Sequence, residues 1–153
     1  MILVVSVILS FIGMELASWL IHRYIMHGPL WNIHKTHHQH KGGWLELNDV
    51  FTLFFGGLAV IFLVVGLEHN NGVLTCTGTG ITLYGLTYFI VHDMLIHRRL
   101  KLFGRVKHPF LKALAEAHQD HHKSRERDGS TSFGLLLIDI KYIRKHFRQG
   151  RKT

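Results

Sequence analysis

Two stretches of the chain repeat one pattern. The first is His22-Arg23-Tyr24-Ile25-Met26-His27 followed by His34-Lys35-Thr36-His37-His38. The second is His92-Asp93-Met94-Leu95-Ile96-His97 followed by His118-Gln119-Asp120-His121-His122. Each half reads H-x4-H and then H-x2-H-H, so ten of the fourteen histidines fall into one repeated arrangement. On a helix, positions i, i+3 and i+4 share a face. His34, His37 and His38, and likewise His118, His121 and His122, can therefore each offer three imidazoles to one region. The H-x4-H pairs are different. Five residues turn a regular α-helix by about 500°, which leaves the two rings roughly 140° apart. Both pairs thus predict a π-bulge or local unwinding, an irregularity often found at functional sites.

Ten imidazoles exceed what one metal ion takes. Shared between two ions they give about five ligands each, with room for a bridging oxygen species. The candidate metal ligands are His22, His27, His34, His37, His38, His92, His97, His118, His121 and His122. Imidazole suits Fe, Zn, Cu and Ni, so the ligand type does not name the metal. A metal-bound imidazole usually gives its second N–H to a carboxylate or carbonyl. Asp93, four residues before His97, and Asp120, within the last cluster, are the candidates for that role, with Glu116 and Glu15 behind them.

The sequence around the pattern reads as an all-α integral membrane protein, a single domain over residues 1–153. Apolar runs at about 1–21, 50–67 and 73–91 are each long enough to cross the hydrocarbon core. A fourth apolar stretch, 133–140, is too short and is expected at the interface or on the metal core, giving three to four membrane helices. Glu15 is the one charge in the first run; seven residues before His22, it shares a face with that ring about 10 Å away. A carboxylate at that depth is expected to face protein rather than lipid. Gly78, Gly80 and Gly85, with five threonines in the third run, predict close helix packing. Gly28-Pro29 breaks the first helix, a short helix over about 30–40 carries the second motif, Lys41-Gly42-Gly43 ends it, and Trp31 and Trp44 are expected near the membrane boundary. Pro109 opens a further helix bearing His118 to His122 and extending toward Asp128-Gly129. The first run has no basic stretch before it and predicts a retained helix rather than a removed signal peptide.

Three crossings place segments 22–49 and 92–132 on the same side, so both histidine halves meet in one helical cap. The turn at 68–72 on the other side has no Lys or Arg, so all eighteen basic residues lie with the histidines. By the positive-inside rule that side is the cytoplasm, and a bacterial inner membrane is the expected location. A formal net charge of +8 with a positive mean hydropathy of +0.15 points to a membrane surface as partner, not nucleic acid. The single cysteine, Cys76, excludes an internal disulfide and reads as a small buried hydrophobe. A chain of 153 residues leaves no room for a flavin, haem or nucleotide module beside the spans. A loose His-rich tract would not repeat five histidines twice, haem ligands would face each other within spans, and a metal transporter would carry ligands near the bilayer middle.

These residues resemble the fatty acid hydroxylase/sterol desaturase superfamily of membrane di-iron oxygenases, most closely its bacterial β-carotene 3-hydroxylase family. The likeness is carried by Gly13-Met14-Glu15, His22 to Gly28, His34-x-x-His37-His38, Asn48-Asp49, Tyr88-Phe89-x-Val91-His92-Asp93, His118-x-x-His121-His122 and Ser132-Phe133-Gly134. The resemblance implies a non-haem di-iron monooxygenase, with two Fe ions (Zn being acceptable to imidazole in a purified sample), O2 as co-substrate and an external reductant. It implies insertion of one oxygen atom at C3 of β-ionone rings, converting β-carotene to β-cryptoxanthin and then zeaxanthin, with the carotenoid supplied from the bilayer. It also implies a ferredoxin-type electron donor with its reductase, for which the basic stretch Arg98 to Lys107 is a docking candidate; membrane lipid headgroups suit the same stretch. Hydroxylation or desaturation of a fatty acyl chain or sterol is the alternative within the class. Outside it, the alternative is a metal-binding membrane protein without catalysis.

Overall fold

The computed structural model describes residues 1–39, 45–100, 103–104, 106–124, 126–128 and 130–150. Its elements are helical: α1 (Ile2–Ile21), α2 (Trp31–His38), α3 (Asp49–Glu68), α4 (Gly72–Tyr88), α5 (Pro109–Lys123) and α6 (Ile140–Gly150). Among the described residues three helices are long and apolar enough to cross a membrane, those containing α1, α3 and α4. Their outer faces expose Leu9, Leu53, Phe54, Ile61, Leu67 and Leu86, as suits helices solvated by lipid, where every backbone group is satisfied within the helix. The expected residues 133–140 add no fourth span: 133–139 are non-helical and fold back beside α1.

Helix α4 is central, packed on both α1 and α3. Its glycines explain the closeness. A Cβ on Gly80 would strike the Val7 carbonyl and Ser10 of α1, and one on Gly78 would strike Leu63 and the Ala59 carbonyl of α3. The order of these contacts makes α4 parallel to α1 and antiparallel to α3. The α3–α4 turn is tight: Asn70 takes a left-handed φ of 51° and the Asn71 side chain caps α4 by accepting from the Leu74 N–H at 3.1 Å. The threonine hydroxyls of α4 donate back to carbonyls four residues earlier, as Thr77 does to Val73 and Thr82 to Gly78. This satisfies polar groups that lipid cannot.

The irregularities required by the two H-x4-H pairs are present. Helix α1 continues as a π-helix over His22–Met26, and α4 continues as a π-helix over Phe89–Ile96. The wider turn closes His27 N–H onto the His22 carbonyl at 3.0 Å and His97 N–H onto the His92 carbonyl at 2.9 Å. Each pair of rings is thereby brought to one side, with centroids 5.2 Å apart in the first pair and 4.5 Å in the second.

The cap differs from expectation at the end of α5. Helix α5 stops at Lys123 rather than running toward Asp128, with Ser124 extended and its carbonyl taken by a histidine ring. Trp31 lies against the rings of His27 and His38, at 5.0 and 5.3 Å. Helix α6 packs Tyr142 and Ile143 against Ala113 and Ala117 of α5. His40, Lys41-Gly42-Gly43, Trp44 and Gly129 lie outside the described residues.

Candidate metal centre

The ten histidines converge where the π ends of α1 and α4 meet α2 and α5. One group comprises His22, His27, His34, His38 and His121, and a second comprises His37, His97, His118 and His122. Within each group the ligand atoms lie within 4.8 Å of one another. His92 adjoins the second group, its Nε2 standing 3.1 Å from that of His37. The groups do not follow the sequence halves. His121 of the second half joins the first group, and His37 of the first half joins the second. The reason is helical geometry: adjacent ligands such as His37/His38 and His121/His122 point about 100° apart, so each H-H pair feeds both groups.

Seven rings have their Nδ1 facing an atom that can only accept. His22 donates to the Phe133 carbonyl (2.7 Å), His27 to Arg127 (2.9 Å), His38 to Ser124 (2.9 Å) and His121 to Thr131 (2.7 Å). His34 donates to Asn48 Oδ1 (2.8 Å), His37 to Glu46 Oε2 (2.9 Å) and His92 to Asp93 Oδ1 (2.7 Å). These partners fix the proton on Nδ1 and leave Nε2 as a bare lone pair. Burial keeps the rings neutral: it pushes His34 down to about 3 and His38 to about 4, and it lowers His27, His37, His118, His121 and His122 as well.

The bare Nε2 atoms face one another. His22 and His34 stand 2.9 Å apart, His27 and His121 3.2 Å, and His34 and His38 3.2 Å. Neither member of such a pair has a proton to share, so the contacts are lone pair against lone pair. His122 Nε2 is buried with no hydrogen-bond partner among the described residues. Converging unprotonated imidazole nitrogens, desolvated and held from behind, are the donor set a divalent transition metal needs. The histidine cluster is therefore able to bind metal.

The carboxylates behave differently from their sequence positions. Asp93 holds His92, its neighbour, not His97. Asp120 touches no histidine of the cluster; it accepts from Tyr142 Oη at 2.9 Å and pairs with Lys123, because α5 turns it outward. Glu116 pairs with Lys145 and His146 of α6. Glu15 accepts from Tyr84 Oη (2.9 Å) and from the N–H groups of Leu136 and Leu137 (2.9 and 2.8 Å), not from a ring. The sequence marked no metal-site role for Glu46, Asn48 or Tyr88, and it placed Arg99 only in the basic docking stretch. Arg99 ties the first two acids of α3's approach together, bonding Glu46 Oε2 and Asp49 Oδ1, each at 2.8 Å. Tyr88 stacks on His92 and its hydroxyl stands 3.2 Å from His92 Nε2. The signal for Glu46 and Asn48 was a polar cluster, Glu46-Leu47-Asn48-Asp49, at the mouth of a membrane span.

A cavity of about 390 Å³ opens from the rings into the helix bundle. Its walls are apolar, with Met14 and Ile21 from α1, Phe55 and Ala59 from α3, and Ile81 and Gly85 from α4. Its head is formed by His22, His34, His37, His92 and His118, so both histidine groups face it.

The family model for fatty acid hydroxylase matches residues 7–142. A β-carotene hydroxylase of Pseudescherichia vulneris is 45% identical over 151 residues, covering 95% of this chain and 84% of the relative. One of Pantoea ananas is 39% identical, covering 85% and 74%. A chloroplastic β-carotene 3-hydroxylase of Arabidopsis thaliana is 36% identical, covering 82% of this chain and 41% of the plant protein. No solved structure matches. With a family model spanning most of its length and relatives at this identity, the chain belongs to the fatty acid hydroxylase family.

Proposed function

We propose that the protein is a carotenoid hydroxylase that converts β-carotene to β-cryptoxanthin and then zeaxanthin by hydroxylating C3 of each β-ionone ring. The observation that carries this reading is the apolar cavity whose head is the histidine cluster, in a chain whose relatives bear the name β-carotene hydroxylase. Its volume lies within the about 300–1,000 Å³ of small-molecule pockets, suited to one cyclic end group with the polyene leading away. The reaction balances as C–H + O2 + 2 electrons + 2 protons giving C–OH + H2O. The target bond has no acidic proton, so side-chain acid–base chemistry alone does not reach it; two irons bound at the rings would supply the activation of O2.

The residues' own contributions follow from the geometry. Carbonyls and carboxylates behind Nδ1 fix seven tautomers and aim Nε2 inward. Phe133, edge-on to His22 at 5.5 Å, and Leu135 close the cavity beside the first group. The aliphatic walls exclude water and leave the ring to be oriented by shape. The site lies on the cytoplasmic side of a bacterial inner membrane, as the charge asymmetry of the sequence supports. Electrons come from an external ferredoxin-type protein. Arg98 is exposed on the candidate docking face, whereas Arg99 is committed to its acids; Lys101 and Arg105 lie outside the described residues.

Expression in a bacterium that accumulates β-carotene tests the reading. New 3-hydroxylated pigments, lost on His121→Ala, are expected. Ample membrane-inserted protein with unchanged β-carotene would overturn it.

A further inference from the structure

We propose that Glu15, a carboxylate buried inside the first membrane helix, is a positioning residue for the first histidine group. It acts through the backbone strap 131–137. This rests on the reading of that group as a metal site.

The strap carries two of the carbonyls that orient first-group rings. His121 Nδ1 donates to the Thr131 carbonyl and His22 Nδ1 to the Phe133 carbonyl, both at 2.7 Å. Between them Ser132 holds a left-handed φ of 58°, a conformation unfavourable to a residue with a Cβ, which persists only where the surroundings impose it. The downstream end supplies that constraint. Glu15 Oε1 accepts the consecutive N–H groups of Leu136 and Leu137, at 2.9 and 2.8 Å. Gly134 fits under the same oxygen: an added Cβ would lie 2.8 Å from Glu15 Oε1 and 2.7 Å from the Leu137 carbonyl. The strap is therefore fixed at three points, His121, His22 and Glu15.

Two further facts separate this from helix packing alone. The strap covers the apolar cavity with Phe133, Gly134 and Leu135, so one anchored backbone sets both ring orientation and a wall of the cavity. Glu15 also bonds Tyr84 of α4, but through its other oxygen, Oε2. The link to the neighbouring helix and the link to the strap can thus be cut separately. A carboxylate at this depth is costly unless its lone pairs are used, and three donors use them here.

The test is titration of purified, detergent-solubilised chain with ferrous iron under anaerobic conditions, with KM for β-carotene measured on the same samples. Glu15→Ala and Gly134→Ala are expected to weaken one of two iron-binding events by about 10- to 100-fold, the range for loss of a group that orients a metal ligand. Both are expected to raise KM more than they lower kcat. Glu15→Gln, whose amide oxygen still accepts both N–H groups, restores iron binding, and Tyr84→Phe leaves it at the wild-type level. Wild-type iron binding in both Glu15→Ala and Gly134→Ala overturns the proposal, as does a loss in Tyr84→Phe equal to that in Glu15→Ala. If Glu15→Ala does not accumulate, Gly134→Ala decides. Iron binding is read without carotenoid, so a failure of the assigned substrate leaves this test standing.

Discussion

His27 and His121, separated by 94 positions in the chain, hold their Nε2 atoms 3.2 Å apart while each directs its Nδ1 proton to a backbone carbonyl. The two candidate metal groups are therefore each built from both histidine halves. His121→Ala and His27→Ala should each abolish or weaken the same bound metal, leaving about one per chain. The double variant should lose little more than either single one. Metal analysis of the three purified variants checks this; strictly additive loss would contradict the shared group.

Asp93 and Glu46 stand behind His92 and His37, whereas Asp120 stands behind none. Asp93→Asn and Glu46→Gln should therefore lower metal affinity or turnover by about 10- to 100-fold. Asp120→Asn should leave metal affinity near wild type, since it breaks only contacts with Tyr142 and Lys123. Metal titrations of the three variants separate these outcomes.

The glycines of α4 divide into packing and cavity positions. Gly80→Val forces a side chain into the backbone of α1 and should destabilise the protein by about 1–3 kcal/mol, seen as a lower thermal midpoint in detergent. Gly85 has open space where its Cβ would lie and borders the cavity. Gly85→Leu should leave that midpoint nearly unchanged and raise KM for the carotenoid.

Acid should unfold the metal-free protein through the histidines. Burial holds His34 at about 3 and His38 at about 4, against an ordinary histidine value of about 6.5. Below about 6.5 the unfolded chain binds protons that the folded chain refuses, so stability falls as pH falls. The stabilisation is present above about 6.5 and is lost between there and about 4 for His38, continuing to about 3 for His34. Denaturation midpoints of the apoprotein at stepped pH should decline across that window; a midpoint flat from pH 7 to 4 would contradict neutral buried rings.

Much of this architecture was legible in the sequence because its causes are local. Apolar runs of membrane length give the spans, and the roughly 140° misfit of H-x4-H gives the π segments at 22–26 and 89–96. Glycine spacing gives the closeness of α4 to its neighbours. What could not be read was how rings distribute between groups, since the assignment of His37 and His121 depends on how α2 and α5 rotate against each other. The groups behind Nδ1 were also hidden: Phe133, Arg127, Ser124 and Thr131 act through backbone carbonyls, which leave no mark in residue type. Proximity in sequence misled for Asp93, which serves His92 rather than His97, and for Asp120, which α5 turns away.

In the proposed reaction, oxygen from O2 enters a carotenoid ring at a centre held by these histidines. Turnover of β-carotene by the purified, iron-loaded protein with a reductant under 18O2, followed by mass spectrometry of the product, tests this. One 18O atom in each new 3-hydroxyl group is predicted, with none from labelled water. Unlabelled hydroxyl, or label acquired from water, would contradict it.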